Sequence, residues 1–151
     1  MPNIFIRIPK GAFPGDARNE LVQRVNAGAA SAEKIPPEPR SRMLCWVQIE
    51  EIESGFWTCG GIDLNERLLT CFAMVYLPEG VLNAEDRATY VNAIHEAFSL
   101  SLPPVEKRQL TTSVILHEVT DGNWGVNGDI WNLHNFAQAA GFAHLQNLVN
   151  S

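Results

Sequence analysis

An internal repeat is the feature of this 151-residue sequence that most constrains its fold. Residues 4–29 can be laid over residues 73–98 at a constant offset of 69 without a gap. Each copy opens with alternating apolar residues and then a turn that contains proline and glycine, as in NIFIRIPKG and CFAMVYLPEG. This pattern predicts a short β-strand that enters a turn at the start of each copy.

An apolar stripe at helical spacing follows each turn. The stripe consists of Leu21, Val22, Val25 and Ala29 in the first copy, and of Tyr90, Val91, Ile94 and Phe98 in the second. Asn83 is a suitable N-cap for the second helix, and the double prolines at 36–37 and 103–104 end both helices. The segments MLCWVQIEEI and LTTSVILHEV then predict a second strand in each copy.

Two β-α-β units are therefore expected, each with parallel strands and a right-handed crossover. They predict an α/β (α+β) fold in which a four-stranded sheet carries two helices on one face. We expect a single domain over residues 1–151, with repeat one at 2–64 and repeat two at 68–131. Residues 132–151 predict a helical C-terminal tail, which Gly141 interrupts.

The other face of this sheet has no predicted covering layer in a single chain. It carries Phe5, Trp46, Met74 and Ile115 among polar residues. Because exposed apolar patches of this kind mark interaction surfaces, oligomerisation is expected to cover the face.

Composition narrows the classes of function. The net charge of −6 argues against a nucleic-acid partner, which needs clustered Lys and Arg. No long apolar run predicts a membrane span or a secretion signal, so we expect a cytoplasmic protein without a membrane partner. Three cysteines without CxxC spacing, and four histidines without an HExxH motif, predict free thiols and no metal site.

Both repeats end in a segment rich in glycine and tryptophan. Residues 53–64 align with residues 120–131, so that Trp57 coincides with Trp124. Glycine lets the backbone approach a ligand closely, and tryptophan offers a flat apolar wall. The alternative is a hairpin that packs against the next subunit, and the residues alone leave both open.

Pro2 becomes a free secondary amine if Met1 is removed. Burial in an apolar pocket disfavours the cation and leaves a neutral base near pH 7. Such an amine suits general base catalysis.

Pro2, the tandem β-α-β units and the NWGVNGD turn together resemble the tautomerase superfamily, over almost all of residues 2–131. The resemblance implies a cofactor-independent enzyme that assembles as a homotrimer and uses Pro2 as general base and acid on a small 2-oxo acid or enol. Trp124 falls at the family's active-site aromatic position. Arg7 and Asn127 are the expected polar contacts to substrate.

The sequence departs from the family at its arginines. Family members have an arginine soon after the first turn, where this chain has Ala12 and, in the second repeat, Val81. Another arginine begins their second strand, where this chain has Trp46 and, in the second repeat, Ser113. Without this carboxylate clamp, phenylpyruvate-like enols are favoured over dicarboxylates.

Two other functions remain open. A hydrolytic decarboxylase, or a hydratase or dehalogenase, acting on a small three-carbon acid would use Glu38 to activate water. A non-catalytic trimeric scaffold or binding protein would keep the fold without the chemistry. His117, beside Glu118, is expected to be a buried, hydrogen-bonded structural residue.

Overall fold

A computed structural model of the chain describes residues 2–151. The elements are β1 (Asn3–Pro9), α1 (Asp16–Ala32), α2 (Pro39–Arg42), β2 (Trp46–Ile52), β3 (Leu68–Pro78), α3 (Ala84–Leu100), β4 (Gln109–Val119), β5 (Trp124–Val126), β6 (Asp129–Trp131), α4 (Leu133–Ala140), a 3₁₀ turn (Ala143–Leu145) and α5 (Gln146–Val149).

The main sheet has the strand order β2-β1-β3-β4. β1 is parallel to β2 and β3 is parallel to β4, while β1 and β3 pair antiparallel at the centre. Helices α1 and α3, the crossovers of the two units, pack against each other over one face. The predicted fold class, a four-stranded sheet with two helices on one face, is confirmed.

Alternation along the central strands separates the core from the outer face. Ile4, Ile6 and Ile8 of β1 are at most 1% exposed, and the matching residues of β3 are equally buried. They pack against Leu21, Val25 and Ala29 of α1 and against Tyr90, Ile94 and Phe98 of α3. Burial of these large aliphatic side chains stabilises the fold by about 1.5–3 kcal/mol each. The other two residues of the predicted stripes lie outside the core, since Val22 is half-buried and Val91 is 39% exposed.

The predicted cap of α3 is present. The Asn83 side chain accepts the backbone N–H of Asp86 at 2.8 Å, and the Asp86 carboxylate accepts the N–H of Asn83 at 3.2 Å. These reciprocal bonds satisfy two of the donors that a helix leaves unpaired at its start. Both crossover helices end several residues before their double prolines.

The face of the sheet away from α1 and α3 carries the predicted apolar residues. Trp46 is 63% exposed, Ile115 46% and Phe5 39%, and Met74 is half-buried beside them. Strand pairing brings Phe5 opposite Met74, so these side chains form a continuous surface.

The C-terminal tail packs more extensively than its sequence indicates. Gly141 ends α4 in the left-handed conformation with φ at 71°, and Phe142 beyond it is fully buried. The Ala143 N–H then donates to the Lys34 carbonyl at 2.9 Å, and His144 Nε2 donates to the Val81 carbonyl at 2.7 Å. The tail thus joins the end of the first crossover to the start of the second.

Among residues 2–151, no helix combines the length and apolar character needed to cross a membrane.

Replacement of Gly141 by alanine is expected to destabilise the protein beyond the cost of the backbone conformation. A Cβ there lies 3.2 Å from Pro36 Cγ, whereas a Cβ on Gly55, with φ at 86°, meets nothing within 4 Å. Left-handed backbone costs each alanine variant about 1–2 kcal/mol, and the crowding at Pro36 adds about 1 kcal/mol. Urea unfolding at one protein concentration measures both variants, and equal losses would show that the tail does not pack tightly at Gly141.

Candidate active site

A depression of about 350 Å³ lies on the outer face of the sheet, where β1 begins and β3 and β4 end. Three aromatic rings form its walls, those of Phe5, Tyr76 and Trp124. The polar side chains of its lining are the carboxamides of Asn3 and Asn123, the Tyr76 hydroxyl and the Trp124 indole N–H, and Val119 and Gly125 complete the lining. Because no lining residue is charged, the depression suits a ligand that is recognised by stacking and neutral hydrogen bonds.

Its aromatic walls are held by packing from two directions. Phe5 meets Tyr76 edge to face, with ring centroids 5.8 Å apart. Trp124 and Trp131, from the two strands of the β5–β6 hairpin, both meet Phe136 of α4 edge to face, with ring centroids 5.2 Å apart. The buried Phe136 therefore fixes the hairpin that carries Trp124.

The hairpin turns tightly because two residues adopt positive φ. Asn127 has φ at 52° and Gly128 has φ at 93°. Asn-Gly at the two central positions favours the turn that matches the twist of antiparallel strands. Asn127 is consequently at the exposed tip of the hairpin, away from the lining of the depression.

Asn3 brings an unusual polar atom to this site. Its Oδ1 is buried and has no hydrogen-bond partner within residues 2–151. Leaving such an acceptor unpaired costs about 1–3 kcal/mol. A donor from a ligand or from a second subunit would remove this cost, and sequence reasoning had not singled out Asn3.

Pro2, the predicted catalytic residue, immediately precedes Asn3. It is buried, and its carbonyl oxygen accepts the Trp46 N–H at 3.0 Å, which extends the β1–β2 pairing by one step. Pro2 does not line the depression itself. The alternation of β1 instead directs it toward the helix layer, as for Ile4.

A buried acid and phenol lie in that layer. Glu33 and Tyr90 are both fully buried, and Tyr90 Oη donates to Glu33 Oε1 at 2.9 Å. Burial, and then the charge of Glu33, raise the pKa of Tyr90 well above its usual value. The same two causes raise the pKa of the Cys45 thiol to about 12.

The sequence held a signal for this pair. Leu21, Val25 and Ala29 follow one another at intervals of four, and Glu33 occupies the next position of that apolar stripe. A carboxylate on a buried stripe requires a hydrogen-bonding partner.

Arg7 lies apart from Trp124. Its Nε contacts Glu50 Oε2 at 2.7 Å, and it lines a neighbouring depression of about 310 Å³ together with Gln48 and Met74. Arg7 and Asn3 are four positions apart on β1, a distance of about 13 Å along a strand. Phe5 and Tyr76 line both depressions and stand between the two polar residues.

The four residues that the resemblance predicted to replace arginines are apolar or small. Ala12 and Val81 are buried in the core, at 2% and 1% exposure. Trp46 and Ser113 are exposed on the outer strands β2 and β4. None of these four positions supplies a cation.

His117 is not the buried, hydrogen-bonded residue that the sequence predicted. It is exposed on the outer face and its ring stacks on Tyr76, with centroids 5.1 Å apart. Strand alternation explains the difference, since His117 pairs in register with Tyr76 and shares its face. Glu38 is also exposed, at the start of α2.

No family model and no curated protein sequence matches the chain. Solved structures do match it. A wild-type fused 4-OT that forms a symmetric trimer is 20% identical, with a TM-score of 0.67, over 92% of this chain and 98% of that one. The chain has the tautomerase-superfamily fold.

Two further structures show the breadth of this likeness. A protein inactivated by 2-oxo-3-pentynoate is 18% identical, with a TM-score of 0.67, over 85% of this chain and 94% of that one. Macrophage migration inhibitory factor from Toxoplasma gondii is 14% identical, with a TM-score of 0.60, over 85% of this chain and 99% of that one. The tautomerase fold that the sequence resembled is confirmed.

The thiols near the core of this tautomerase fold are expected to be unreactive. Burial raises the pKa values of both Cys45 and Cys71 to about 12, so the reactive thiolate is scarce at pH 8. Cys59 is only half-buried. Ellman's reagent at pH 8 should label one thiol per native chain and three in urea.

Rapid labelling of Cys45 in the native protein would contradict this assignment and make Cys45 a candidate nucleophile.

Proposed function

We propose that this protein is a cofactor-independent keto-enol tautomerase of a small 2-oxo acid or enol, with Pro2 as general base and acid once Met1 is removed. The observation that carries the proposal is the uncharged aromatic depression beside the first residues of β1, in a chain with the tautomerase fold.

Pro2 would supply the chemistry. An α-amino group has an ordinary pKa of about 7.7–8.0, so both of its protonation states are populated near neutral pH. The secondary amine takes up the proton of an enol hydroxyl and returns a proton to carbon, which gives the 2-oxo form. Transfer through a positioned group of this kind accelerates a reaction by about 10²–10⁴-fold.

Substrate class follows from the lining of the depression. Phe5, Tyr76 and Trp124 suit an aryl group, and Asn3 offers a neutral acceptor to the enol hydroxyl. Without a cation in the lining, a dicarboxylate has no bidentate partner. Phenylpyruvate-like enols are therefore the first substrates to test.

A homotrimer would complete the site. One of the similar structures is a symmetric trimer, and the exposed Phe5, Trp46 and Ile115 of this chain form the surface that assembly would cover. A neighbouring chain is the proposed source of the contacts from Arg7 and Asn127, which do not line the depression within one chain. A cytoplasmic location stays a prediction.

Replacement of Pro2 by alanine is expected to reduce ketonisation of phenylenolpyruvate at least 100-fold, because the variant loses the secondary amine that transfers the proton. The assay follows loss of enol absorbance, with removal of Met1 verified by intact mass. Pro14→Ala, which changes an exposed proline in the loop between β1 and α1, is the matched control and should retain full activity.

Equal rates in Pro2→Ala and the wild type, with Met1 absent from both, would reject the tautomerase mechanism and favour the scaffold.

Replacement of Ile115 by aspartate is expected to dissociate the trimer, because it buries a charge in the proposed interface. Val105→Asp, at a position that is 80% exposed outside the strands, is the matched control. Sedimentation velocity should give a trimer mass for the wild type and the control, and a smaller mass for Ile115→Asp. A monomeric wild type would contradict the proposed assembly.

A further inference from the structure

The C-terminal tail, residues 132–151, has no counterpart in the internal repeat and no role in the chemistry described above. Its helix α4 nevertheless lies against the hairpin that carries Trp124. In that hairpin, β5 and β6 form a separate two-stranded sheet of three residue pairs. Because a two-stranded hairpin is marginally stable by itself, the position of Trp124 depends on what the hairpin packs against.

Phe136 of α4 is the contact that both strands of the hairpin share. Trp124 and Trp131 pair directly opposite each other, and each meets the Phe136 ring edge to face with centroids 5.2 Å apart. Phe136 is only 1% exposed, so the two indoles close around a ring that is held by the packed core. The orientation of the Trp124 wall is therefore set from the tail.

The start of α4 is fixed to the same strand ends that form the depression. The Leu133 N–H donates to Asp121 Oδ1 at 2.7 Å, two residues after the end of β4. On the side of β3, a Cβ on Gly80 would lie 3.0 Å from Leu133 Cδ2, so glycine there permits the close approach of the helix. Helix α4 thus joins the ends of β3 and β4 to the hairpin, and it holds Trp124 in place relative to Tyr76.

The chain beyond α4 is bonded back to the core. Phe142 is fully buried. The Ala143 N–H donates to the Lys34 carbonyl at 2.9 Å, and His144 Nε2 donates to the Val81 carbonyl at 2.7 Å. Val81 lies in the turn that follows β3, so the tail is anchored beside the depression at both of its ends.

We propose that the C-terminal tail determines how tightly the depression binds an aryl group, with Phe136 as the residue that positions the Trp124 wall. This inference rests on the proposed function, in which the aryl group of the enol lies between Phe5, Tyr76 and Trp124. Phe136 does not line the depression, so it acts on the ligand through Trp124. It is a positioning residue, and it should affect binding more than the proton transfer at Pro2.

The first test is a binding titration with 3-phenylpropanoate, which has the aryl group and no carbonyl or enol to react. Its Kd, measured by calorimetry, should rise by about 2- to 10-fold in Phe136→Leu, because the aromatic contact between the ligand and Trp124 is weakened. Phe98→Leu is the matched control and should leave the Kd unchanged. Phe98 is also fully buried and contacts a ring, that of Phe13 at 6.2 Å, but it lies near the end of α3 and away from the lining of the depression.

Two further readouts separate positioning from stability. The KM for phenylenolpyruvate should rise in Phe136→Leu by the same factor as the Kd, while kcat changes by less than about twofold, because the Pro2 amine is untouched. In wild-type protein labelled with 5-fluorotryptophan, 3-phenylpropanoate should shift the ¹⁹F resonance of Trp124, assigned with Trp124→Phe, and leave that of Trp57 in place. A merely structural Phe136 would change the stability of the protein and neither the Kd nor the KM.

Asp121→Ala is the variant to use if Phe136→Leu does not fold, since Asp121 is exposed. It removes the acceptor for the Leu133 N–H and should raise the Kd by a smaller factor. Its control is Asp63→Ala, which removes a similar bond to the Asn65 N–H at 2.9 Å, away from the depression, and should have no effect. A Kd in the folded Phe136→Leu or Asp121→Ala variant that equals the wild-type value overturns the inference.

Failure of this inference and failure of the proposed function are distinguishable, because the binding titration needs no turnover. Binding that depends on Phe136, in a protein that ketonises nothing, supports the inference and rejects the tautomerase. Ketonisation that depends on Pro2, with a Kd and a KM independent of Phe136, does the reverse. A wild type that does not bind 3-phenylpropanoate also overturns the inference.

Discussion

The antiparallel pairing of β1 with β3 is the constraint on which the rest of the structure depends. Each β-α-β unit has one sheet face and one helix stripe to bury, and neither unit alone encloses a core. Pairing Ile6 with Ala73 at the centre aligns the two inward faces under both helices. The same pairing brings the start of β1 to the end of β3, so it also creates the depression between Phe5 and Tyr76.

The repeat made most of this architecture predictable from sequence. The period-two strands, the helical stripes and the Asn83 cap are local patterns, and all three are present in the structure. The outer face was also predictable, because alternation assigns Phe5 and Trp46 to the side opposite the buried isoleucines.

Features that depend on contacts distant in sequence were harder to predict. The C-terminal tail has no counterpart in the repeat, so nothing in the sequence indicated its contacts with Lys34 and Val81. Glu33 did carry a signal, but Tyr90, its partner, is 57 residues away. The exposure of His117, by contrast, was predictable from local pattern, because His117 lies two residues after Ile115 on β4 and shares its outer face.

The candidate site is aromatic and uncharged. Trp124 is held by Phe136 in a depression whose lining contains no charged side chain. Polar recognition in one chain then falls to carboxamides, above all to Asn3 with its unpaired oxygen. We propose that a site of this kind binds an aryl enol rather than a dicarboxylate, which would have no bidentate cationic partner there.

The reactivity of the Pro2 amine can be tested most directly with 2-oxo-3-pentynoate, the compound that inactivates one of the similar proteins. Mature protein is incubated with it, digested and mapped by mass spectrometry. An adduct confined to the amino-terminal peptide that begins with Pro2 is the predicted result. No adduct, or one that forms equally in Pro2→Ala, would contradict the assignment of Pro2 as the reacting group.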